Sequence, residues 1–173
     1  ITVTDFAVYL SGSFDTIGGV NRMRFANVQK QSGAPLLWSP SAMSEALSMV
    51  VADSTVYLGG FFTTLNGDGR ERLGAVATNG ALLPWNPGAN NTVFKLLHDG
   101  STIYVGGMFN IITGANQSNL AALDTSGNLL PWNPQPNESV SSLVKVGTRL
   151  YTGGSFSMIG GLPREGLAVI DEA

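Results

Sequence analysis

Four tyrosines, Tyr9, Tyr57, Tyr104 and Tyr151, follow one another at steps of 48, 47 and 47 residues. Each opens a Tyr-x-Gly-Gly-x-Phe box or a close variant of it. The phenylalanines of the box, Phe14, Phe62, Phe109 and Phe156, keep the same steps, and Trp38, Trp85 and Trp132 lie 47 residues apart. Three columns in one register fix the period. A repeat of about 47 residues commits a chain to stacked or circularly arranged units, because one such unit cannot bury its apolar face alone.

Within the period, the local signals are those of short strands. Residues 93–109, VFKLLHDGSTIYVGGMF, read as two strands joined at Asp99-Gly100, since Asp-Gly tolerates the positive φ of a tight hairpin turn. The second strand ends in Gly106-Gly107, matched by Gly59-Gly60, Gly153-Gly154 and, in the first copy, Ser11-Gly12. Glycines inside a strand mark a close approach by another backbone, which in a radial array is the crowded centre. A polar link follows, and then a second hairpin, turning at Ser32-Gly33, Asn79-Gly80 and Ser126-Gly127. Its last strand carries Pro84 or Pro131, which cannot donate to a ladder, so that strand belongs at the outer edge.

The reading is an all-β chain built of four-stranded antiparallel blades, with glycine-rich strands inside and proline strands outside. Such units at this period predict a β-propeller; a β-trefoil needs three copies, and the tyrosine box occurs four times. Residues 1–173 form a single domain with repeats at approximately 1–45, 46–92, 93–139 and 140–173: three complete blades and most of a fourth. An open arc leaves an apolar sheet face at each end. With about 1.5–3 kcal/mol at stake per large apolar side chain and a net stability of about 5–15 kcal/mol for a typical domain, that exposure predicts closure. Either the ring closes at four blades, or, as is favoured, a second copy of the chain or the rest of a longer parent closes it into a larger ring, two copies giving one of about eight blades.

Only 12% of residues are charged, the net charge is −3, and there are 22 glycines and no cysteine. This excludes disulfide and thiolate chemistry and gives no electrostatic footprint for nucleic acid. No 18-residue apolar run suggests a membrane span. The chain opens at Ile1 without a basic and apolar leader, which reads as a mature form or an excised segment. Asn90, Asn116 and Asn137 begin N-x-Ser/Thr triplets in expected loops, a frequency that the asparagine content alone accounts for.

The order YVGGxF, a glycine-rich link, then LAxLDxxGxLxPWNP resembles the secreted bacterial propeller repeats known as a family of unknown function (delta-type repeats), across essentially all 173 residues. The first copy departs from the pattern at Ser11 and in the Ser-Pro-Ser that follows Trp38. The resemblance implies a β-propeller in large extracellular or surface-associated bacterial proteins, with no defined activity. The Gly-Gly and Trp boxes are also similar to kelch blades, whose intervening loop fits less well.

Candidate chemistry is sparse. His98, the only histidine, sits at the entrance to the Asp99-Gly100 turn, aligned with Ala52 and Val146, and reads as a surface hairpin residue. Carboxylates such as Asp53, Asp99 and Asp124 occupy turn positions that Asp favours for its own backbone hydrogen bonds. Asn66-Gly67-Asp68-Gly69-Arg70-Glu71 alternates oxygen donors but lacks an EF-hand series and reads as a polar turn. Trp38, Trp85 and Trp132 are candidates for stacking on sugars, weighed against packing between blades. Arg22, Arg70 and Arg164 share a column with Gln117; they are expected to tie the link to a neighbouring carbonyl or carboxylate, or else to form a rim for acidic ligands. No catalytic set, metal site or cofactor is expected. The expected function is a non-enzymatic extracellular or surface module for structure or adhesion, presenting residues 63–71, 110–119 and 157–166 to a partner. A carbohydrate-binding propeller and a polysaccharide-active one are the alternatives.

Overall fold

In the computed structural model, which describes residues 1–172, all regular structure is β, in four repeated units. The first unit comprises β1 (Thr2–Val3), β2 (Ala7–Ser11), β3 (Thr16–Ile17), β4 (Val20–Asn21) and β5 (Phe25–Gln29). The second runs through β6 (Ala46–Ala52), β7 (Thr55–Gly60), β8 (Thr64–Leu65), β9 (Asp68–Gly69) and β10 (Leu73–Ala77). The third comprises β11 (Val93–Asp99), β12 (Thr102–Gly107), β13 (Ile111–Ile112), β14 (Ala115–Asn116) and β15 (Leu120–Asp124). The fourth comprises β16 (Val140–Val146), β17 (Arg149–Gly154), β18 (Met158–Ile159), β19 (Leu162–Pro163) and β20 (Leu167–Asp171). In every unit the first, second and fifth strands make a three-stranded antiparallel sheet with the second in the middle, and the third and fourth make a separate two-stranded ribbon.

The expected hairpins are present, with Asp99 opposite Thr102 and the turn at Gly100-Ser101, where Gly100 has φ 57°. The expected fourth strand is not. The proline segment meets its sheet at single bridges, Val28 with Pro35, Val76 with Leu82 and Leu123 with Leu129. One residue further on, the Leu36, Leu83 and Leu130 N–H groups donate to Asn27, Ala75 and Ala122, and beyond them the pairing stops, at Leu37, Pro84 and Pro131. The links, expected to be irregular, are instead the ribbons. All four turn through two consecutive residues with φ between 52° and 88°: Gly18-Gly19, Asn66-Gly67, Thr113-Gly114 and Gly160-Gly161. This is the type I′ geometry that lets two-residue strands pair.

The glycine strand is also not the innermost one. It is the middle strand of each sheet, and the neighbours across units are the first strands, β6 against β11 and β11 against β16. Thr2 of β1 donates its hydroxyl to the Met49 carbonyl at 2.6 Å, and the Leu96 N–H donates to the Ser48 hydroxyl at 2.9 Å.

Each glycine of the pair answers a different crowding. The second, at Gly60, Gly107 and Gly154, lies against the backbone just before its own unit's first strand, where the register slips between Ala46 and Ser48, Val93 and Lys95, and Val140 and Ser142. The first faces the following unit. A Cβ on Gly59 would lie 2.5 Å from Val93 Cγ1, and one on Gly106 would lie 3.0 Å from Val140 Cγ1. The first copy solves the same problem in reverse: Ser11 replaces the glycine, Ala46 replaces the valine, and the Ser11 hydroxyl donates to the Ala46 carbonyl at 2.7 Å.

The core is accordingly not inside the sheets but between them. Three apolar clusters lie at the three seams. One holds Tyr9, Phe25 and Trp38 with Val56, Leu58 and Phe62. The next holds Tyr57, Leu73 and Trp85 with Val93, Ile103 and Phe109. The last holds Tyr104, Leu120 and Trp132 with Val140, Leu150 and Phe156. The second and third units thus each bury one sheet face against the preceding unit and the other against the following one.

Two substitutions of the same kind test this arrangement. Gly59→Ala pushes a methyl into Val93 across a filled seam, and urea unfolding should show a loss of about 1–3 kcal/mol. Gly153→Ala meets nothing closer than Ser142 Cβ at 3.4 Å, and should stay within about 0.5 kcal/mol of the parent, as surface changes do.

Candidate functional site

At each seam a tryptophan staples two units. Trp38, Trp85 and Trp132 are buried, each set edge-to-face against the tyrosine of its own unit at centroid distances of 5.0, 5.0 and 5.4 Å. Each indole N–H points at a carbonyl of the next unit: Ala77 at 3.0 Å, Asp124 at 3.5 Å and Asp171 at 3.4 Å. A buried indole needs such an acceptor. The second-hairpin glycines beside the indoles, Gly80 and Gly127, hold φ of 92° and 93°, which a side chain would strain. The three indoles are therefore buried seam elements, and Trp85 and Trp132 also border clefts beside Tyr57 and Tyr104.

The arginine column is internal too. Arg22 donates from Nη1 to its neighbour's carbonyl at Asn21 and from Nη2 to Leu36 at 2.6 Å; Arg70 does the same to Gly69 and to Leu83 at 3.0 Å. Both guanidiniums tie the ribbon to the proline segment of their own unit, where the ladder has stopped. Gln117 reaches the Leu120 and Trp132 carbonyls, both at 3.0 Å. Arg164 holds its Nη1 on Pro163 at 2.9 Å, and among the described residues its Nη2 meets no acceptor.

His98 is half-buried rather than a plain surface residue. Its ring lies parallel to that of Tyr57 in the preceding unit, at 6.5 Å and 13°. The strand register also moves its column: His98 opposes Ile103 as Val51 opposes Val56 and Lys145 opposes Leu150, so its equivalents are Val51 and Lys145, not Ala52 and Val146. Lys145 bridges Asp99 of the third unit and Glu172 of the fourth. Those two hydrogen bonds, Asp99 first, raise its ammonium pKa above the usual lysine range. Tyr104 donates to the same Glu172 at 3.2 Å; burial above all, and then that hydrogen bond, pushes its phenol up.

The Asn66 loop spends its oxygen on structure. Asn66 Oδ1 accepts the Ser41 N–H at 2.9 Å and Nδ2 donates to Gly80 at 3.0 Å. Asn90 and Asn137 do similar work, accepting from the backbone N–H groups of 110 and 111 and of 157 and 158. The linker entering each unit thereby clamps that unit's ribbon. Asn116, in β14, is exposed.

What residue-type reasoning overlooked is apolar. Phe61 and Met108, directly after the glycine pair, are 46% and 48% exposed. Ile111 and Met158 share the first ribbon-strand position and are exposed as well, as are Val20, Met23, Met43 and Leu162. The signal was present in the sequence, as columns where apolar residues alternate with Ser or Thr between copies, but it looked like loop variation.

No protein-family model matches the chain, and neither does any curated protein. Two computationally designed proteins of known crystal structure resemble it in fold. The designed Ika8 protein superposes with a TM-score of 0.61 at 14% identity, over 91% of this chain and 43% of that one. The designed Ika4 protein does so with a TM-score of 0.56 at 14% identity, over 86% of this chain and 79% of that one. The chain thus spans less than half the length of the designed Ika8 chain.

The charged turn residues have a pH consequence. Asp124 accepts the Asn128 side-chain N–H at 2.8 Å and the N–H groups of Ser126 and Asn128. These bonds, the Asn128 side chain first, hold its carboxyl below the usual aspartate range, and the Ser13 hydroxyl does the same first of all for Glu45. A depressed folded pKa contributes stability above the unfolded value, about 3.9 for Asp, and loses it as pH falls through the folded one. Melting temperature should therefore drop on acidification below about pH 4, and Asp124→Asn should flatten part of that drop in a calorimetric pH series.

Proposed function

We propose that the chain is an arc of a β-propeller, its four units acting as blades, and that it serves as a non-enzymatic structural or adhesion module on a bacterial surface or outside the cell. The observation that carries this reading is the separation of labour within each unit. Sheets pack through repeated tyrosine–tryptophan seams, while the ribbons form separate two-stranded units, anchored in those seams by Leu65, Ile112 and Ile159 and turning Ile111 and Met158 outward. The repeated three-stranded sheets, with the second and third units each packed between two neighbours, support the propeller assignment. The likeness to the designed proteins supports the fold alone.

The ribbon end supplies the binding chemistry. Phe61, Met108, Ile111 and Met158 are exposed, apolar and different in each copy. Methionine adapts its shape to irregular partners, and apolar residues exposed on a rigid frame mark protein interaction sites. The partner is accordingly a protein surface with apolar relief, recognised by several blades at once.

This is tested by binding to immobilised bacterial surface protein extract, measured by biolayer interferometry beside a glycan array. The triple variant Phe61→Ser, Met108→Ser, Met158→Ser should lose binding about tenfold or more, about 1.4 kcal/mol at least, with its melting temperature unchanged. Binding that is indifferent to the triple variant, or glycan binding in its place, would overturn the reading.

A further inference from the structure

Two of the three seams carry the same side-chain clamp where a linker meets the ribbon of the unit it enters. Asn90 Oδ1 accepts the Asn110 and Ile111 N–H groups at 3.1 and 3.0 Å, and its Nδ2 donates to Asn110 Oδ1 at 2.6 Å. Asn137 Oδ1 accepts the Ser157 and Met158 N–H groups at 3.0 and 2.9 Å, and its Nδ2 donates to Ser157 Oγ at 3.0 Å. Each carboxamide thus makes three bonds, two from consecutive backbone donors and one to the side-chain oxygen of the first of them.

The seam between the first and second units has the same frame with a different residue in it. The Asn66 N–H donates to the Ser41 carbonyl at 2.8 Å, as the Thr113 N–H does to Gly88 at 3.0 Å. The Phe61 N–H donates to Glu45 at 3.0 Å, as the Met108 N–H does to Thr92 at 2.9 Å. Between those two anchors Met43 holds the place of Asn90. Its thioether has no N–H to donate and accepts only weakly, and the residue is 76% exposed. The ribbon side of the clamp is nevertheless present. The Arg70 N–H donates to the Thr63 carbonyl at 2.9 Å, which makes Thr64 and Gly69 a non-hydrogen-bonded pair and turns the Thr64 N–H away from its own ribbon. Among the described residues, neither that N–H nor the N–H and hydroxyl of Thr63 have a hydrogen-bond partner. They match the three groups that Asn137 engages on Ser157 and Met158. A cleft of about 250 Å³ opens beside them, lined by Met23, Ser41, Ala42, Met43, Thr64 and Gly67.

We propose that this cleft binds a primary carboxamide, the side chain of an asparagine in an extended segment of a protein partner. The amide oxygen accepts the Thr63 and Thr64 N–H groups, and the amide nitrogen donates to the Thr63 hydroxyl, as Asn137 does within the chain. A planar group that offers an acceptor and a donor side by side is what distinguishes a carboxamide from a carboxylate or a carbonyl. The apolar residues flanking that asparagine lie on Met23 and Met43, whose unbranched side chains adapt to an irregular surface. The site lies at the ribbon end and rests on the reading of that end as the binding surface, adding the chemistry it recognises.

The test is an NMR titration of the 173-residue chain with the peptide acetyl-Leu-Asn-Leu-N-methylamide, beside the same peptide with Asp for Asn. Saturable shifts of the Thr63 and Thr64 amide protons are expected, with the Asp peptide weaker by about tenfold or more. Met43→Asn supplies the amide from within the chain. It should slow hydrogen exchange at both amides about tenfold and weaken peptide binding by about as much. Thr63→Val removes an exposed hydroxyl and should weaken binding several-fold at an unchanged melting temperature. The proposal is overturned by a folded chain whose two amides do not shift saturably, by equal binding of the Asp peptide, or by a Met43→Asn variant that binds the peptide as the parent does. The triple ribbon variant, which probes the surface-module reading, keeps every residue lining this cleft and should bind the peptide unchanged, so the two ideas fail separately.

Discussion

The structure depends on the fit between a glycine at the end of one unit's second strand and the apolar side chain that the next unit places over it. Gly59 admits Val93 and Leu96, and Gly106 admits Val140 and Leu143. Without that space the sheets could not approach closely enough for their facing side chains to exclude water, and there is no other core to fall back on. Ser11 and Ala46 show that what is required is a summed volume and not a particular residue. Bulk has moved from one partner to the other, and a hydrogen bond joins them.

On top of this close packing the tryptophans give direction. Each indole belongs by its ring contact to one tyrosine and by its N–H to the following unit, so it fixes order along the array as well as distance. The carbonyls it reaches, Ala77, Asp124 and Asp171, lie at or one residue past the end of the regular bonding in the third sheet strand. The Ala77 and Asp124 carbonyls also accept the N–H groups of the turn glycines Gly80 and Gly127, so each serves its own hairpin and the neighbouring indole. The arginines and Gln117 complete the segment with side chains where backbone pairing has ceased.

Much of this was legible in the residues. The period and the hairpin turns followed from columns and from turn chemistry such as Asp99-Gly100 and Asn79-Gly80, while the contact of each Tyr with its Trp is seen only in the structure. The ribbons were not legible, because strands of two residues are too short for an alternation to show, and Thr113 in a position of φ 53° is a poor advertisement for a type I′ turn. The proline segment reads as a full strand because an apolar run follows a turn such as Asn79-Gly80 or Ser126-Gly127, although it meets its sheet at single bridges. His98 was placed one position out, because the turns of the copies differ in composition while the strand register does not. The exposed Phe61 and Met108 escaped notice because apolar residues beside a conspicuous glycine pair are naturally assigned to a core.

By itself the sequence determined that the chain is built from one sheet-forming phrase used four times, and where each copy turns. Those are consequences of spacing and of local backbone preference, which act within a few residues. Only the tertiary structure decided which face of each strand is inside. A strand's two faces are equally available until a neighbour covers one, and here that neighbour is another copy about 47 residues away. The same fact settles the ends: Tyr151 and Leu167 carry the identities of buried residues, and their exposure is set by what stands beside them.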